Sequence, residues 1–481
     1  MATIRRIIFY LFVLAYAIVC PLTILYAFGL IYRPGEEGGV IRTGLISIST
    51  IPPGSDIYLG RLRYTRKSPA VIRDLLPDEY SIRLSRKGYR TWSHRVVVKP
   101  GRAAVVENVL FLPNDIPLNR IADTSFEDIV PVPNSPVFLV QRSLRAEDLY
   151  VVDTTQDASR PLRELFPAGG RLGKSLVQDV HVSPAHGGVL FKVGPKEGAR
   201  SVWARPGREA NGESSSVWED VTDIFMEPAG EIAWAGDHPE QMFVIGPGGI
   251  EILDVREKSR LTLWEGALLG HGSYKGRLLF LADDHRLYAA DAGGGEPKLM
   301  SASLLPHEDY LKSARAVEII PYSDELFLFK DERGRLFANQ GSQLLVREGV
   351  EGLLRHPNVK VFAVWGGDRL GILEPVPDGR DADGDGDEPL DVRKLQVRWV
   401  ETHARAIEQV FWAYDGKYLI YRDGGSVFLL ELWNTDFPRR EVVAHARGGK
   451  KVVWMERARR LYFLDRWDAG LVWMSLAPGE S

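Results

Sequence analysis

Three patterns of apolar and polar positions follow one another along the chain. The first is Ile7 to Tyr32, a run of 26 residues without a charged side chain, directly after Arg5 and Arg6; this length predicts a helix able to span a bilayer. The second, Gly44 to Pro113, alternates in short bursts separated by turn signals. Leu45-Ile46-Ser47-Ile48-Ser49-Thr50 alternates apolar and polar, Pro52-Pro53-Gly54 interrupts it, and Asp56-Ile57-Tyr58-Leu59-Gly60 resumes. Tyr80-Ser81-Ile82-Arg83-Leu84-Ser85 alternates again, before Val96-Val97-Val98 and Val105 to Leu110 supply the last strands. A period of two over about seventy residues predicts a compact β-sandwich. The third pattern, from 120 to 476, repeats one phrase: an apolar strand, a polar turn, a strongly apolar strand, then a Leu-Tyr or Val-Trp strand that often ends near Asp. Val137 to Val140 with Leu149 to Asp153 is the first case, and Leu461 to Leu464 with Leu471 to Met474 the last. Eight such units at a mean period of about 45 predict the blades of a β-propeller. Short helices are predicted only at Arg160 to Phe166, Glu308 to Ser313 and Val350 to Arg355.

The fold class expected is therefore mainly β: one N-terminal transmembrane helix, a small β-sandwich, and a C-terminal propeller of eight blades, with seven as the other count. A two-domain sandwich arrangement is the alternative to the propeller. The boundaries are a cytoplasmic tail at 1–6, an anchor at 7–32, a linker at 33–43, the sandwich at 44–113 and the propeller at 120–476. Lys and Arg are retained on the cytoplasmic side of a membrane, so Arg5 and Arg6 orient the amino terminus inside and the bulk of the chain outside, in the periplasm or at the cell surface. A cleaved signal peptide is the competing reading, but its apolar region runs about 7 to 15 residues. Val19 before Cys20 argues against a lipid-modified cysteine.

Cys20 is the only cysteine, so no intrachain disulfide forms. From Asp56 to Arg102 there are twelve Arg or Lys against four Asp or Glu. Such a basic stretch near an anchor suits anionic headgroups or envelope polymers, or is simply a solvated face. Nucleic acid is not expected as a partner, because the predicted topology places the stretch on the wrong side of the membrane.

The sandwich segment resembles the PEGA domain family. The resemblance rests on Ile48-Ser49-Thr50-Ile51-Pro52-Pro53-Gly54-Ser55-Asp56-Ile57-Tyr58-Leu59-Gly60, on Ser68-Pro69, on Leu75-Leu76-Pro77-Asp78-Glu79-Tyr80 and on Lys87-Gly88-Tyr89-Arg90-Thr91-Trp92. The tetrad that names the family, Pro-Glu-Gly-Ala, falls on Pro52-Pro53-Gly54-Ser55 and departs from it at two positions. The resemblance implies a small all-β module of envelope proteins with no catalytic residues, and hence a spacer or binding module. In the third region, Val410 to Tyr421 with its Asp415-Gly416 turn resembles the strand, turn, strand unit of TolB-like and WD-type propellers, where both turn residues tolerate positive φ.

The densest ligand-type cluster is Asp378 to Asp391. Asp381, Asp383 and Asp385 stand at positions 1, 3 and 5 of a calcium loop, Gly386 at 6, and Asp387 offers a carbonyl at 7. Position 12 is Val392 where the loop requires Glu, and Asp391 sits one place early. The two readings are a Ca2+ site formed by Asp381, Asp383, Asp385, Asp387 and Asp391, and a solvated acidic loop.

Other motifs fail. Ala168-Gly169-Gly170-Arg171-Leu172-Gly173-Lys174-Ser175 lacks the first glycine of a phosphate loop and any α/β context. No Gly-x-Ser-x-Gly elbow or His-Glu-x-x-His pair occurs, and His181, His186, His271 and His285 define no zinc site by sequence. Trp365, Trp399, Trp412, Trp454 and Trp473 suit packing between blades.

The expectation is a non-catalytic scaffold or protein-binding subunit of the bacterial cell envelope. It would contact lipid through 7–32 and envelope or membrane proteins through its propeller loops. The enzymatic alternative is a propeller glycoside hydrolase or lyase acting on envelope carbohydrate, whose paired carboxylates would come from different blades and leave no local motif.

Overall fold

The computed structural model describes residues 2–27, 30–33, 39–132, 135–154, 162–165, 174–183, 188–195, 198–205, 217–225, 230–235, 240–301, 311, 313–339, 344–375, 395–432 and 439–476. The chain divides into two units, Met1–Pro117 with Ser475–Ser481, and Leu118–Met474.

In the first unit Ala2–Ala27 forms one helix with Pro21 inside it. It stops short of Tyr32, because Leu30–Arg33 is a strand paired antiparallel with Gly39–Arg42, within the stretch expected as a linker. Ile8, Phe9, Tyr10, Leu11, Phe12 and Leu14 are each more than 60% exposed. Among the described residues no helix is long and apolar enough to cross a membrane. The anchor at 7–32, its lipid contact, the cytoplasmic tail and the single-pass placement outside the membrane are corrected accordingly.

The alternating segment folds as expected from its period. Gly44–Ile51 lies between Ala70–Leu75, antiparallel, and Ala103–Leu110, parallel. The facing sheet runs Leu62–Arg63, Asp56–Leu59, Asp78–Ser85, Trp92–Val98. Ile46, Ile48, Ile57, Ile82, Leu84, Trp92, Val96, Val98 and Val106 fill the space between the two sheets. Trp92 is thus a core residue, and Tyr89 packs edge-on against Phe111 at 6.0 Å.

The second unit is propeller-like. Its described strands form six four-stranded sheets and one seven-stranded sheet, so two of the eight strand groups expected as separate blades share one sheet. In the large sheet the four strands from Leu268 to Ser301 and the three from Val317 to Ala338 join through the parallel pairs Gly270↔Val317 and His271↔Glu318. A Cβ at Gly270 would stand 1.7 Å from the Val317 carbonyl oxygen, and one at Gly272 would stand 1.9 Å from that of Ile319. Glycine alone permits this approach. Asn119–Ser125, from the start of the unit, pairs with Gly470–Ser475 at its end, so the first strand of the unit completes its last sheet.

Apolar clusters fill the spaces between successive sheets. Phe138, Val140 and Val152 pack with Tyr462, Leu464 and Leu471 across the terminal junction. Ala363, Leu370 and Ile372 pack with Val410, Trp412 and Leu419 further round. Trp412 also donates from Nε1 to the Leu354 carbonyl at 3.0 Å. Two of the short helices expected are strands instead: Leu162–Glu164 and Gly352–Arg355. Pairing with a neighbouring strand overrides local preference at both.

Candidate functional site

A continuous rim of turns runs across the terminal junction of the second unit. Ala446 donates its N–H to the Gly425 carbonyl at 2.9 Å and bridges to Asp465. The hairpin that follows Asp465 carries Trp467, whose N–H donates to Asp465 Oδ1 at 2.8 Å. The same hairpin meets the opening of the unit through Phe126 N–H to the Ala469 carbonyl at 2.9 Å and the Arg120–Asp468 ion pair at 2.6 Å. Glu127 then donates to the Gln141 carbonyl at 2.7 Å, and Val177 to that of Leu144, also at 2.7 Å.

On this hydrogen-bonded frame stand three exposed apolar side chains: Trp467 at 80%, Leu144 at 56% and Leu176 at 50%. The Arg466 guanidinium lies over the Trp467 ring, 4.3 Å from its centroid. Trp467 thus presents a large aromatic surface to water from a tight turn. The sequence carried only a weak signal for it, Asp465-Arg466-Trp467-Asp468, a polar turn containing one out-of-place Trp.

At the other end of the rim is a cavity of about 530 Å³ lined by His403, Arg405, Asp423, Ser426, Phe428 and Arg440, among others. Its carboxylates are already engaged. Asp423 Oδ1 accepts from the backbone N–H of Arg405 at 3.1 Å and of Ala406 at 2.9 Å. Behind the wall, buried Glu401 accepts from Arg440 Nη1 at 2.8 Å and Tyr421 OH at 3.3 Å through Oε2, and from the N–H of Thr402 and His403 through Oε1. Burial holds the Tyr421 phenol above its ordinary value, so it stays protonated and donates. Ser426 Oγ meets His445 Nδ1 at 3.3 Å, but no carboxylate orients the imidazole among the described residues. The cavity therefore presents shape and positive charge, and its Ser426–His445 contact has no orienting carboxylate among the described residues.

Asp381, Asp383, Asp385, Asp387 and Asp391 lie outside the described residues. Among the described residues no group of three or more His, Cys, Asp and Glu could hold a metal ion, calcium included. His181 pairs with Asp179 at 3.0 Å and His271 with Glu231 at 3.1 Å. His285 sits at φ +62° in a different turn. His186 and most of the 168–175 segment are outside the described residues.

In the first unit the turn segments are pinned by a buried hydroxyl cluster. Ser68 Oγ lies 2.6 Å from Thr50 Oγ1 and accepts from Ser55 Oγ at 2.8 Å, Ser55 N at 3.0 Å and Gly54 N at 3.2 Å. Residues 43–110 match the PEGA domain. The PEGA match covers the sandwich and nothing beyond it, so its hydroxyl cluster and two-sheet core belong to that module alone.

No curated protein matches the chain. Among solved structures the chain is similar to the β-propeller domain of Cps50 (Swd1) from Myceliophteria thermophila, at 10% identity and a TM-score of 0.36, over 74% of this chain and 98% of that one. It is similar also to Sqt1 from Chaetomium thermophilum, at 13% identity and a TM-score of 0.45, over 73% and 96%. A third is PorZ, a bacterial surface component of the type-IX secretion system of Porphyromonas gingivalis, at 15% identity and a TM-score of 0.38, over 72% and 42%. At these identities and scores the likenesses carry no inference about activity.

Proposed function

We propose that the protein is a non-catalytic scaffold that binds another protein through the rim centred on Trp467. The observation that carries this reading is Trp467 itself, 80% exposed and held on a turn by hydrogen bonds at both ends. Trp and Arg dominate the binding energy of protein interfaces, and residues held rigid before binding lose little entropy on docking. Arg466 stacked on Trp467, with Leu144 and Leu176 further along the same frame, supplies that combination. The engaged carboxylates of the cavity weigh against chemistry at its end of the rim.

The test is crosslinking of full-length protein in its native cell extract, comparing wild type with Trp467→Ala. Loss of one or two residues of this kind weakens binding by about 2 kcal/mol or more, so a stoichiometric partner captured by wild type should fall at least tenfold in the variant, with an unchanged melting temperature. Equal capture by both proteins would remove the rim from the interface.

A further inference from the structure

The outward face of one PEGA sheet carries an arginine that the module's own carboxylates leave unneutralised. In Asp78–Ser85 and Trp92–Val98 burial alternates strictly near the centre of the sheet. Ile82, Leu84, Trp92 and Val96 point into the core, and Ser81, Arg83, Ser93 and Arg95 point out. Register sets one outward row as Arg63, Tyr58, Arg83 and Ser93. In that row the Arg83 guanidinium lies 4.4 Å from the centroid of the Tyr58 ring.

The acidic residues of this face are already paired. Asp56 is bonded to Arg63 at 2.7 Å, with Lys67 at 3.8 Å, and Glu79 to Arg95 at 3.3 Å. No carboxylate lies within ion-pair distance of Arg83 among the described residues. The surplus extends to the whole unit: the residues outside 118–474 comprise sixteen Lys or Arg against nine Asp or Glu, whereas 118–474 contains 44 against 55.

We infer that this sheet face docks an extended acidic segment of a partner protein, with a carboxylate seated on Arg83. Guanidinium binds carboxylate through two parallel N–H bonds, and its stacking on Tyr58 fixes the fork without occupying its edge. Arg95 lies one outward row from Arg83, about 6.7 Å along the strand direction, the distance at which alternate side chains repeat on an extended chain. Val97, 48% exposed on the same face, and the Tyr58 ring offer apolar contacts. A peptide with both acidic and apolar side chains uses these contacts, whereas a uniformly anionic glycan does not. This surface belongs to a different unit from the rim, so it stands or fails independently of the Trp467 reading.

The probe is a fluorescein-labelled peptide of alternating Glu and Val, titrated with the full-length protein and read by fluorescence anisotropy. About 50 mM salt keeps exposed charges incompletely screened. Wild type should bind it, and a Gln-Val peptide should bind at least about tenfold more weakly, as expected for loss of charge-assisted bonds. Arg83→Glu should weaken binding at least about tenfold, and Arg83→Lys, which keeps the charge and loses the fork, about threefold. Arg73→Glu, an equal charge change on the other sheet, should cost less than about twofold if position rather than net charge governs binding. Absence of binding to the Glu-Val peptide, equal binding of the Gln-Val peptide, or equal losses in Arg83→Glu and Arg73→Glu would each overturn the inference. So would tighter binding of polygalacturonate, which would assign the face to glycans. Melting temperatures matching wild type establish that the variants fold, and Arg83→Lys decides if Arg83→Glu does not.

Discussion

Ser68 shows how one hydroxyl fixes a turn that its neighbours in sequence would leave loose. Thr50 Oγ1 donates to the Pro52 carbonyl at 2.8 Å, so the Ser68 hydroxyl donates to Thr50 Oγ1 and accepts the bonds from Gly54 and Ser55. Thr50, Ser55 and Ser68 are all buried, and removing the shared oxygen strands their partners away from water. Ser68→Ala should therefore destabilise the PEGA module by about 2–3 kcal/mol. Hydrogen exchange read by mass spectrometry should show the lost protection confined to 43–110, and unchanged exchange there would mean that the cluster contributes nothing to stability. At the rim the same scale explains why Trp467 escaped prediction. A tryptophan's exposure depends on what stands opposite it, and its sequence neighbours do not report that.

Between elements, a single histidine couples the sheet ending at Leu395–Glu401 to the next. His356 follows the strand Gly352–Arg355, and its Nδ1 accepts the N–H of Asn358 at 3.0 Å and of Val359 at 3.2 Å. The ring stands edge-on to Trp412 at 4.6 Å and against Gly416, where a Cβ would fall 1.5 Å from Nε2. The Asp415-Gly416 turn thus has two reasons for its glycine: positive φ at Tyr414, Asp415 and Gly416, and the space the imidazole fills. Burial holds the His356 pKa below its ordinary value of 6.5, outweighing the opposing hydrogen bond at Gly416. A depressed folded value means the stabilisation is fully present above pH 6.5 and is lost as pH falls through that lower value. Urea midpoints should therefore decline on acidification more steeply for wild type than for His356→Asn, whose amide accepts the same bonds without titrating. Parallel declines would show that His356 is not the titrating link.

For the whole molecule, the junction between the two ends of the second unit is where long-range order concentrates. Asn119 and Arg120 pair with Trp473 and Val472, and Phe138 meets Tyr462 with ring centroids 5.0 Å apart. Phe138 is fully buried, so Phe138→Ala should cost about 3–5 kcal/mol. If the strand pairing and this core act as one joint, exchange should rise together at 119–141 and 453–474 while 43–110 keeps its protection. A rise on one side only would mean that the ends hold independently. The rim crosses this joint, so loosening it should also weaken partner capture through Trp467.

Alternation along Gly44 to Pro113 and the recurring strand phrase after residue 120 were legible in the sequence, as were the PEGA segment and the turn at Asp415-Gly416. Each is a property of residues a few positions apart, and period or φ preference expresses it directly. The helix at the amino terminus was legible as a helix, but its end at Ala27 was set by the pairing of Leu30–Arg33 with Gly39–Arg42. Tertiary structure alone decided the strand at Gly352–Arg355, the joining of two strand groups through Gly270 and Gly272, and the setting of Leu144, Leu176 and Trp467 along one rim. These depend on groups brought together across tens to hundreds of residues, where pairing and burial override what any local window of sequence prefers.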